Sequence, residues 1–366
     1  MGRTIRMSRR LSTVAAALTA CILTAADAGE CLRMKLNGAK AVPESIGQCA
    51  FEKFGSFDEY RKTALPALIK LLGLEDMRER KSPNRTTPKI LWTRDFEWGT
   101  VTKLRFEYEP EEFGNAYFCV PKNAAPPYRV FICLQGHSTG MHNSIAVKKE
   151  DEKTPIVAEG DRDLAVRCAK YGFAALCLEQ RGLGERAGND LRRGGCQLLM
   201  HQNLLIGRTL IGNRVLDVDC AIDYLKSRPD VDRGFIGVTG NSGGGTTTMF
   251  AGAILPRITH LMPSCAFSSF RGSIGSKRHC TCNYIPRLLF FGEAADVLGL
   301  AAPRKLVVIN GLKDSGFPIG ESRRQYARLL KIYTAAGVPG NVRHVVGKGG
   351  HRYYAEEGFA ALREIL

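Results

Sequence analysis

The sequence predicts an α/β fold in which helices cover both faces of a mostly parallel central sheet. Short apolar runs of strand length alternate with segments of helical periodicity from about residue 129 to the C-terminus, which is the pattern that βαβ units produce. A serine flanked by glycines follows one apolar run, and an aspartate and a histidine follow two later ones. With 366 residues, 44% of them hydrophobic, the chain is long enough for one large domain with extensions.

The predicted sheet begins with two antiparallel strands, at 101–108 and 116–120. Further strands are predicted at 129–134, 173–178, 234–239, 258–262, 305–310 and 342–346. Helices are predicted at 161–171, 204–227, 243–254, 320–336 and 354–365. Two long loops, 179–200 and 265–302, remain. Because such loops surround the strand ends, we expect them to set substrate selectivity.

The N-terminal part is predicted to consist of a signal and an extension ahead of a catalytic domain at 93–366. Residues 1–28 have an arginine-rich start, an apolar run at 11–24 and an A-x-A cleavage site ending at Ala28, as secretory signals do. Residues 29–92 are predicted to be a helical extension, in which Ser56 and Glu59 form a capping box. Removal of residues 1–28 deletes four arginines and one aspartate, so the formal net charge falls from +16 to +13.

A second interpretation of the signal centres on Cys21, because Leu18-Thr-Ala-Cys21 matches a lipoprotein processing box. Lipidation of Cys21 is therefore the alternative to cleavage after Ala28, and either one predicts an exported protein, periplasmic or secreted. No later segment is long and apolar enough to span a membrane. The basic residues are scattered without interleaved aromatics, so we expect no nucleic-acid partner.

The most informative segment is the strand 234–239 together with Gly240-Asn241-Ser242-Gly243-Gly244, which has the form G-x-S-x-G. A serine at a strand-to-helix elbow needs a sharp turn, and glycines on both sides make that turn sterically possible. The elbow exposes the hydroxyl and directs the N-terminus of the next helix at a developing negative charge. Ser242 is therefore the predicted nucleophile.

Two partners follow in the order Ser, Asp, His. Asp314 comes just after the predicted strand 305–310, and His351 comes just after the strand 342–346. In an open parallel sheet these carboxyl ends form the edge where ligands bind. A histidine can take the serine proton, and an ionised carboxylate fixes the tautomer of that histidine. The sequence thus predicts a catalytic triad of Ser242, Asp314 and His351.

An oxyanion hole is predicted from two backbone N–H groups, those of Gly243 and His137. Gly243 follows the nucleophile, and His137 lies in the loop after the strand 129–134, with Ser138 as the next candidate. The side chain of His137 is expected to line the pocket, since His351 already fits the role of general base.

These residues and their spacing resemble the α/β-hydrolase superfamily. Within it the chain resembles the acetyl xylan esterase, cephalosporin deacetylase and dienelactone hydrolase-like branch, particularly its bacterial secreted members. The resemblance runs from about Phe96 to the C-terminus, and its more specific motifs are Leu178-Glu179-Gln-Arg181-Gly182-Leu-Gly184-Glu185, His279-Cys280-Thr-Cys282-Asn283-Tyr284-Ile-Pro286, Asp296-Val-Leu-Gly-Leu-Ala-Ala-Pro303-Arg304 and Gly349-Gly350-His351-Arg352. Gln135 stands where the family commonly has a histidine. The resemblance implies an α/β-hydrolase fold and an esterase for small acyl groups.

The chain contains 12 cysteines, and five of them lie in apolar contexts that predict buried, inert thiols: Cys133, Cys168, Cys177, Cys220 and Cys265. Cys31 and Cys49 could form a disulfide in an oxidising compartment. Cys280 and Cys282, beside His279, supply only three potential ligands, which falls short of a four-ligand zinc site. The sequence analysis therefore expects no metal and no cofactor.

The predicted function is that of a serine hydrolase, specifically a carboxylic-ester hydrolase that forms an acyl-enzyme and acts on a small-molecule or glycan ester. Two alternatives stay open at this stage. One is a serine peptidase, which uses the same triad, and the other is a catalytically retired scaffold used for binding.

Overall fold

A computed structural model describes residues 47–137, 139–188 and 195–366. Its sheet has nine strands among these residues, in the order β1-β2-β3-β5-β4-β6-β7-β8-β9. They run Lys89–Asp95 (β1), Gly99–Glu109 (β2), Glu112–Pro121 (β3), Tyr128–Leu134 (β4), Ala174–Leu178 (β5), Val231–Asn241 (β6), His260–Ser264 (β7), Lys305–Gly311 (β8) and Val342–Gly347 (β9). Strands β4 to β9 are parallel, and β1 to β3 form an antiparallel extension beside β5. The predicted mostly parallel sheet is confirmed.

Helices lie on both faces of this sheet. In the described part of the chain they run Phe57–Leu71 (α1), Met77–Arg80 (α2), Leu164–Lys170 (α3), Gly195–Leu205 (α4), Leu210–Ser227 (α5), Gly243–Ile254 (α6), Leu288–Phe291 (α7), Ala294–Leu298 (α8), Ile319–Ala335 (α9) and Ala355–Arg363 (α10). Buried residues of α1, α5, α6, α8 and α9 share one core cluster, and those of α3 and α10 share another. The predicted two-faced architecture is therefore confirmed.

The alternation of side chains along β4 shows why a hydrophobic core lies on each face of the sheet. Val130, Ile132 and Leu134 belong to the first cluster, whereas Phe131 and Cys133 belong to the second. Successive side chains of a strand point to opposite faces, so an uninterrupted apolar run is what a strand covered on both faces requires.

The extension includes helix α1, for which Ser56 is the N-cap as predicted, although the Glu59 carboxylate accepts the N–H of Gly55 and not that of Ser56. The Ser56 Oγ accepts a hydrogen bond of 3.2 Å from the Glu59 backbone N–H. Pro66 lies inside α1, which continues to Leu71. The predicted signal at 1–28, which includes Cys21, lies outside the described residues, and so does Cys31. The signal, the lipidation of Cys21, the Cys31–Cys49 disulfide and the domain boundaries therefore stay predictions.

Three elements differ from the sequence prediction. Strand β1 was not predicted, because most of its residues are exposed at the sheet edge and show no apolar alternation. The helix predicted at 204–227 is two helices, since Gly207 takes a φ of +70° and the Thr209 hydroxyl caps α5. The loop 265–302 holds the short helices α7 and α8. No helix among the described residues is long and apolar enough to cross a membrane.

Candidate active site

Ser242 lies on a strained elbow between β6 and α6. Its φ of 56° and ψ of −119° fall in a region that non-glycine residues rarely adopt. The flanking glycines are needed for close packing: a Cβ on Gly244 would come within 1.9 Å of the Leu134 carbonyl oxygen, and one on Gly240 within 2.6 Å of the same oxygen. The elbow predicted from the G-x-S-x-G pattern is therefore present in this structure.

Asp314 and His351 form a hydrogen-bonded pair at the same edge of the sheet. Asp314 follows β8 and His351 follows β9, and the His351 Nδ1 lies 2.7 Å from the Asp314 Oδ2. The other carboxylate oxygen of Asp314 accepts the backbone N–H groups of Gly316 at 2.9 Å and Phe317 at 3.2 Å. This arrangement holds the imidazole in one orientation, with Nε2 as the nitrogen left for a substrate or nucleophile.

The electrostatics of Asp314 favour the carboxylate. Burial by itself raises its pKa, but the hydrogen bond and charge of His351 and the two backbone N–H donors outweigh burial, so the pKa lies below the usual range. Asp314 is therefore ionised wherever a free aspartate would be. A buried carboxylate in this position can stabilise an imidazolium on His351.

Ser264, at the end of β7, connects the serine elbow to the histidine loop. Its carbonyl accepts the Ser242 N–H at 2.9 Å, and its hydroxyl donates to the carbonyls of Arg352 at 3.2 Å and Tyr353 at 3.0 Å. The three predicted triad residues thus share one sheet edge. Within the described residues the Ser242 hydroxyl makes no hydrogen bond to His351.

The two residues predicted to supply the oxyanion donors contact each other through the side chain of His137. The Gly243 N–H opens α6, and the imidazole of His137 lies directly on Gly243, where an added Cβ would meet the His137 Cε1 at 2.6 Å. Ser138, the second candidate donor, lies outside the described residues. Gln135 is buried and donates to the Ser144 hydroxyl at 2.8 Å and the Arg162 carbonyl at 2.6 Å, so its side chain braces the loop.

Sequence analysis did not identify the aromatic neighbour of His351. The Phe317 ring stacks on the imidazole with centroids 5.9 Å apart and planes inclined by 16°. Behind it, the Ser273 hydroxyl lies 3.1 Å from His279 Nε2 and donates to the Gly316 carbonyl at 2.7 Å. The loop 265–302 therefore supports the loop that carries Asp314. Only the fold joins these segments, so no local sequence signal marks Phe317.

A second buried carboxylate, Glu179, follows β5 at the same edge. Its two oxygens accept the N–H groups of Met141 at 3.2 Å and Glu185 at 3.0 Å. Burial dominates over these donors and raises the pKa of Glu179 to about 8. Glu179 therefore holds a proton more tightly in the folded protein than in the unfolded chain.

Four side chains of types that can bind metal converge at the predicted oxyanion loop. The ligand atoms of His137, Cys196, Cys280 and Cys282 all lie within 4.8 Å of one another, and the His137 Nε2 is 3.0 Å from the Cys282 Sγ. The sequence analysis counted His279 with the two neighbouring cysteines and expected no metal. In the structure His279 faces Ser273 instead, while His137 and Cys196 complete a set of four.

A cleft of about 720 Å³ opens beside this cluster. Its walls include His137, Thr139, Lys148, Lys149 and Cys280. His137 belongs to the predicted oxyanion loop, whereas Ser242, Asp314 and His351 do not line this cleft.

Comparisons with known proteins agree with the fold. No protein-family model matches the chain. A curated relative, YtaP of Bacillus subtilis (strain 168), is named as a candidate hydrolase and is 25% identical over 291 residues, which cover 78% of this chain and 91% of that protein.

Two solved structures were also compared. A candidate acetyl xylan esterase from Bacteroides fragilis NCTC 9343 aligns with a TM-score of 0.67 and 16% identity, covering 83% of this chain and 79% of that one. A glucuronoyl esterase from Solibacter usitatus aligns with a TM-score of 0.61 and 17% identity, covering 90% and 97%. The resemblance to the acetyl xylan esterase-like branch of the α/β hydrolases is therefore confirmed at the level of the fold.

Proposed function

We propose that this chain, with its α/β-hydrolase fold, is a carboxylic-ester hydrolase that uses Ser242 as nucleophile, His351 as general base and Asp314 as the acid that orients it. The observation that carries the proposal is the 2.7 Å contact between His351 and Asp314 at the sheet edge where the strained Ser242 elbow lies. A structural aspartate–histidine pair has no need of a strained serine beside it, and strain of this kind concentrates at functional sites.

The first half of the reaction acylates the serine. His351 Nε2 takes the proton from the Ser242 hydroxyl as its oxygen attacks the ester carbonyl, and the C=O electron pair moves onto oxygen. The backbone N–H groups of Gly243 and His137 are the proposed donors to that oxyanion. His351 then returns the proton to the departing alcohol as the ester C–O bond breaks.

The second half regenerates the enzyme. Water enters in place of the alcohol, His351 removes one of its protons, and the hydroxide oxygen attacks the acyl carbon. Collapse of the tetrahedral intermediate releases the acid and returns the proton to Ser242 Oγ. The ionised Asp314 stabilises the imidazolium in both halves, which is consistent with its lowered pKa.

The substrate that we propose is a small-acyl ester of a carbohydrate or another small molecule. The names of the two solved structures compared above, an acetyl xylan esterase and a glucuronoyl esterase, support this class. We further propose that the alcohol portion extends past His137 into the cleft that this residue lines. We also propose export of the protein, through the signal at 1–28 or lipidation of Cys21.

The experiment is hydrolysis of p-nitrophenyl acetate, butyrate and octanoate by the wild-type protein and by Ser242→Ala. We expect turnover that falls with acyl length in the wild type and a loss on the order of 10⁴- to 10⁶-fold in the variant. The matched control is Ser227→Ala, which makes the same chemical change at the end of α5 and should leave the rate unchanged.

Activity of Ser242→Ala equal to that of Ser227→Ala would overturn the assignment of the nucleophile. Peptide hydrolysis without ester hydrolysis would favour the serine peptidase instead. Absence of all turnover from folded wild-type protein would favour the retired scaffold.

A further inference from the structure

A compact set of metal-binding atoms lies outside the proposed catalytic triad. His137 follows β4, Cys196 is the second residue of α4, and Cys280 and Cys282 belong to the loop 265–302. Their ligand atoms lie within 4.8 Å of one another, and Cys196 and Cys282 are buried. Three sulfurs and one imidazole nitrogen form a Cys₃His set, which is one of the ligand sets of tetrahedral structural zinc sites.

A buried arginine beside the cluster points to negative charge on these sulfurs. Arg214 is 1% exposed and has no carboxylate within ion-pair distance among the described residues. Its guanidinium donates to the Arg181 carbonyl at 3.0 and 2.7 Å, to the Cys196 Sγ at 3.1 Å and to the Cys282 Sγ at 3.5 Å. A buried charge needs a compensating one, and neutral thiols would not supply it.

Cysteine thiolates bound to a metal ion would supply the negative charge that the buried Arg214 needs. Three thiolates, a neutral imidazole and a divalent cation carry a net charge of −1, which the +1 of Arg214 offsets. The hydrogen bonds from Arg214 to two of the sulfurs are of the kind that orient and tune metal ligands from outside the coordination sphere.

The spacing of the atoms also suits zinc. A tetrahedral ion with zinc–sulfur bonds of about 2.3 Å sets its sulfurs about 3.8 Å apart. The ligand atoms of the cluster lie at most 4.8 Å apart, so the distances between them need to shorten by about 1 Å or less for zinc to bind. Sulfur-rich tetrahedral sites favour zinc over magnesium, calcium or manganese, which take oxygen ligands.

We propose that His137, Cys196, Cys280 and Cys282 bind one zinc ion, which joins two loops and the first turn of α4 beside the active-site elbow. All four coordination positions are filled by the protein, so the ion is structural and does not activate water. Binding requires no oxidant, and the thiol protons are released to solvent as the zinc–sulfur bonds form.

The ion has a consequence for the proposed active site, a point that depends on the proposed function. The His137 imidazole that would bind zinc through Nε2 lies on Gly243, and the backbone of His137 is a proposed oxyanion donor. Zinc therefore fixes the position of that donor. Its removal should disturb the loop without unfolding the sheet.

The test measures zinc directly in purified full-length protein by elemental mass spectrometry under reducing conditions. We expect about one zinc per chain in the wild type and a strong loss in Cys282→Ser and in Cys280→Ser, because either substitution removes a thiolate ligand. The control is Cys220→Ser, a buried cysteine of α5 outside the cluster that should retain the metal. Circular dichroism identifies any variant that fails to fold.

Cobalt provides a second readout that works even if a variant is weakened. Cobalt added to protein stripped of zinc should give sulfur-to-metal charge-transfer absorption and tetrahedral d–d bands, and zinc should displace it. Zinc content well below one per chain, without cobalt absorption, would overturn the proposal. So would an unreduced intact mass showing a disulfide among Cys196, Cys280 and Cys282. Neither readout involves ester turnover, so failure here is distinct from failure of the proposed esterase.

Discussion

Two regions meet at Gly243, and they are built in different ways. On one side the proposed triad residues each follow the carboxyl end of a parallel strand: Ser242 after β6, Asp314 after β8 and His351 after β9. On the other side the proposed zinc ligands come from two loops and the first turn of α4, which no strand pairing holds together. The sheet supplies the geometry of the first region, whereas the second needs side-chain contacts or an ion.

This difference predicts how each region responds to substitution. The triad edge is fixed by backbone hydrogen bonds and by Ser264, which contacts both the elbow and the histidine loop. The loop cluster depends on the contacts of Arg214, His137 and the cysteines. Substitutions at the triad should therefore abolish chemistry in a folded protein, while changes at the cluster should act through loop position.

The largest effect beyond the nucleophile itself is expected at Asp314. Asp314→Asn keeps the size of the side chain but removes the charge and favours the wrong tautomer of His351. We predict a fall in kcat of about 10³- to 10⁴-fold, measured with p-nitrophenyl acetate.

The control for Asp314→Asn is Asp296→Asn, which makes the same chemical change at another buried aspartate. Asp296 is buried at the start of α8, where it accepts the Glu293 N–H at 2.8 Å and pairs with Arg328 at 2.9 Å. This change should lower the unfolding midpoint and leave the kcat of the folded protein intact. The opposite pattern in the two variants would assign the catalytic acid to Asp296.

The boundary between the two regions can be tested at Gly243. In Gly243→Ala the new Cβ would lie 2.6 Å from the His137 ring, so the ring must move, and we expect that movement to displace the proposed oxyanion donors. We predict a fall in kcat/KM of about 10²- to 10³-fold, the size seen when one oxyanion donor is lost.

The matched control is Gly340→Ala, whose added Cβ meets nothing within 4 Å. If Gly243→Ala were as active as Gly340→Ala, His137 and Gly243 would not be the donors. Zinc content of the two variants would show whether the ring shift also reaches the cluster.

The smallest expected effect concerns the two buried carboxylates at the sheet edge, whose pKa values shift in opposite directions. The pKa of Asp314 is lowered by its hydrogen bond to His351, whereas burial raises the pKa of Glu179 to about 8. Glu179 then binds a proton in the folded state that the unfolded chain has released. Its contribution to stability is complete below the unfolded pKa and is lost as the pH rises towards 8.

We predict that the free energy of unfolding falls by on the order of 2–4 kcal/mol between pH 5 and pH 8.5, as measured by urea denaturation. Glu179→Gln cannot titrate, so its stability should change less over this interval, whatever its absolute level. An equal slope in the variant and the wild type would assign the pH dependence to other groups.

The sequence predicted the part of the molecule that follows from local pattern. The strands before Ser242, Asp314 and His351 were evident as apolar runs, and the elbow as glycines around a serine, because backbone geometry fixes both. Strand β1 escaped prediction since an exposed edge strand has no apolar periodicity. The metal prediction was incomplete for a related reason: His137 and Cys196 are 59 positions apart in the chain, and only the folded loops bring them to Cys282.

The most direct test of Ser242 as the nucleophile is to find which residue reacts with an irreversible inhibitor of serine hydrolases. The protein would be treated with a fluorophosphonate, which phosphonylates activated serines with loss of fluoride, and the adduct would be mapped by peptide mass spectrometry. We predict one adduct, on the peptide that contains Ser242, with loss of labelling in Ser242→Ala and much slower labelling in Asp314→Asn. Labelling at another residue, or labelling of Ser242 that is unaffected by loss of Asp314, would contradict it.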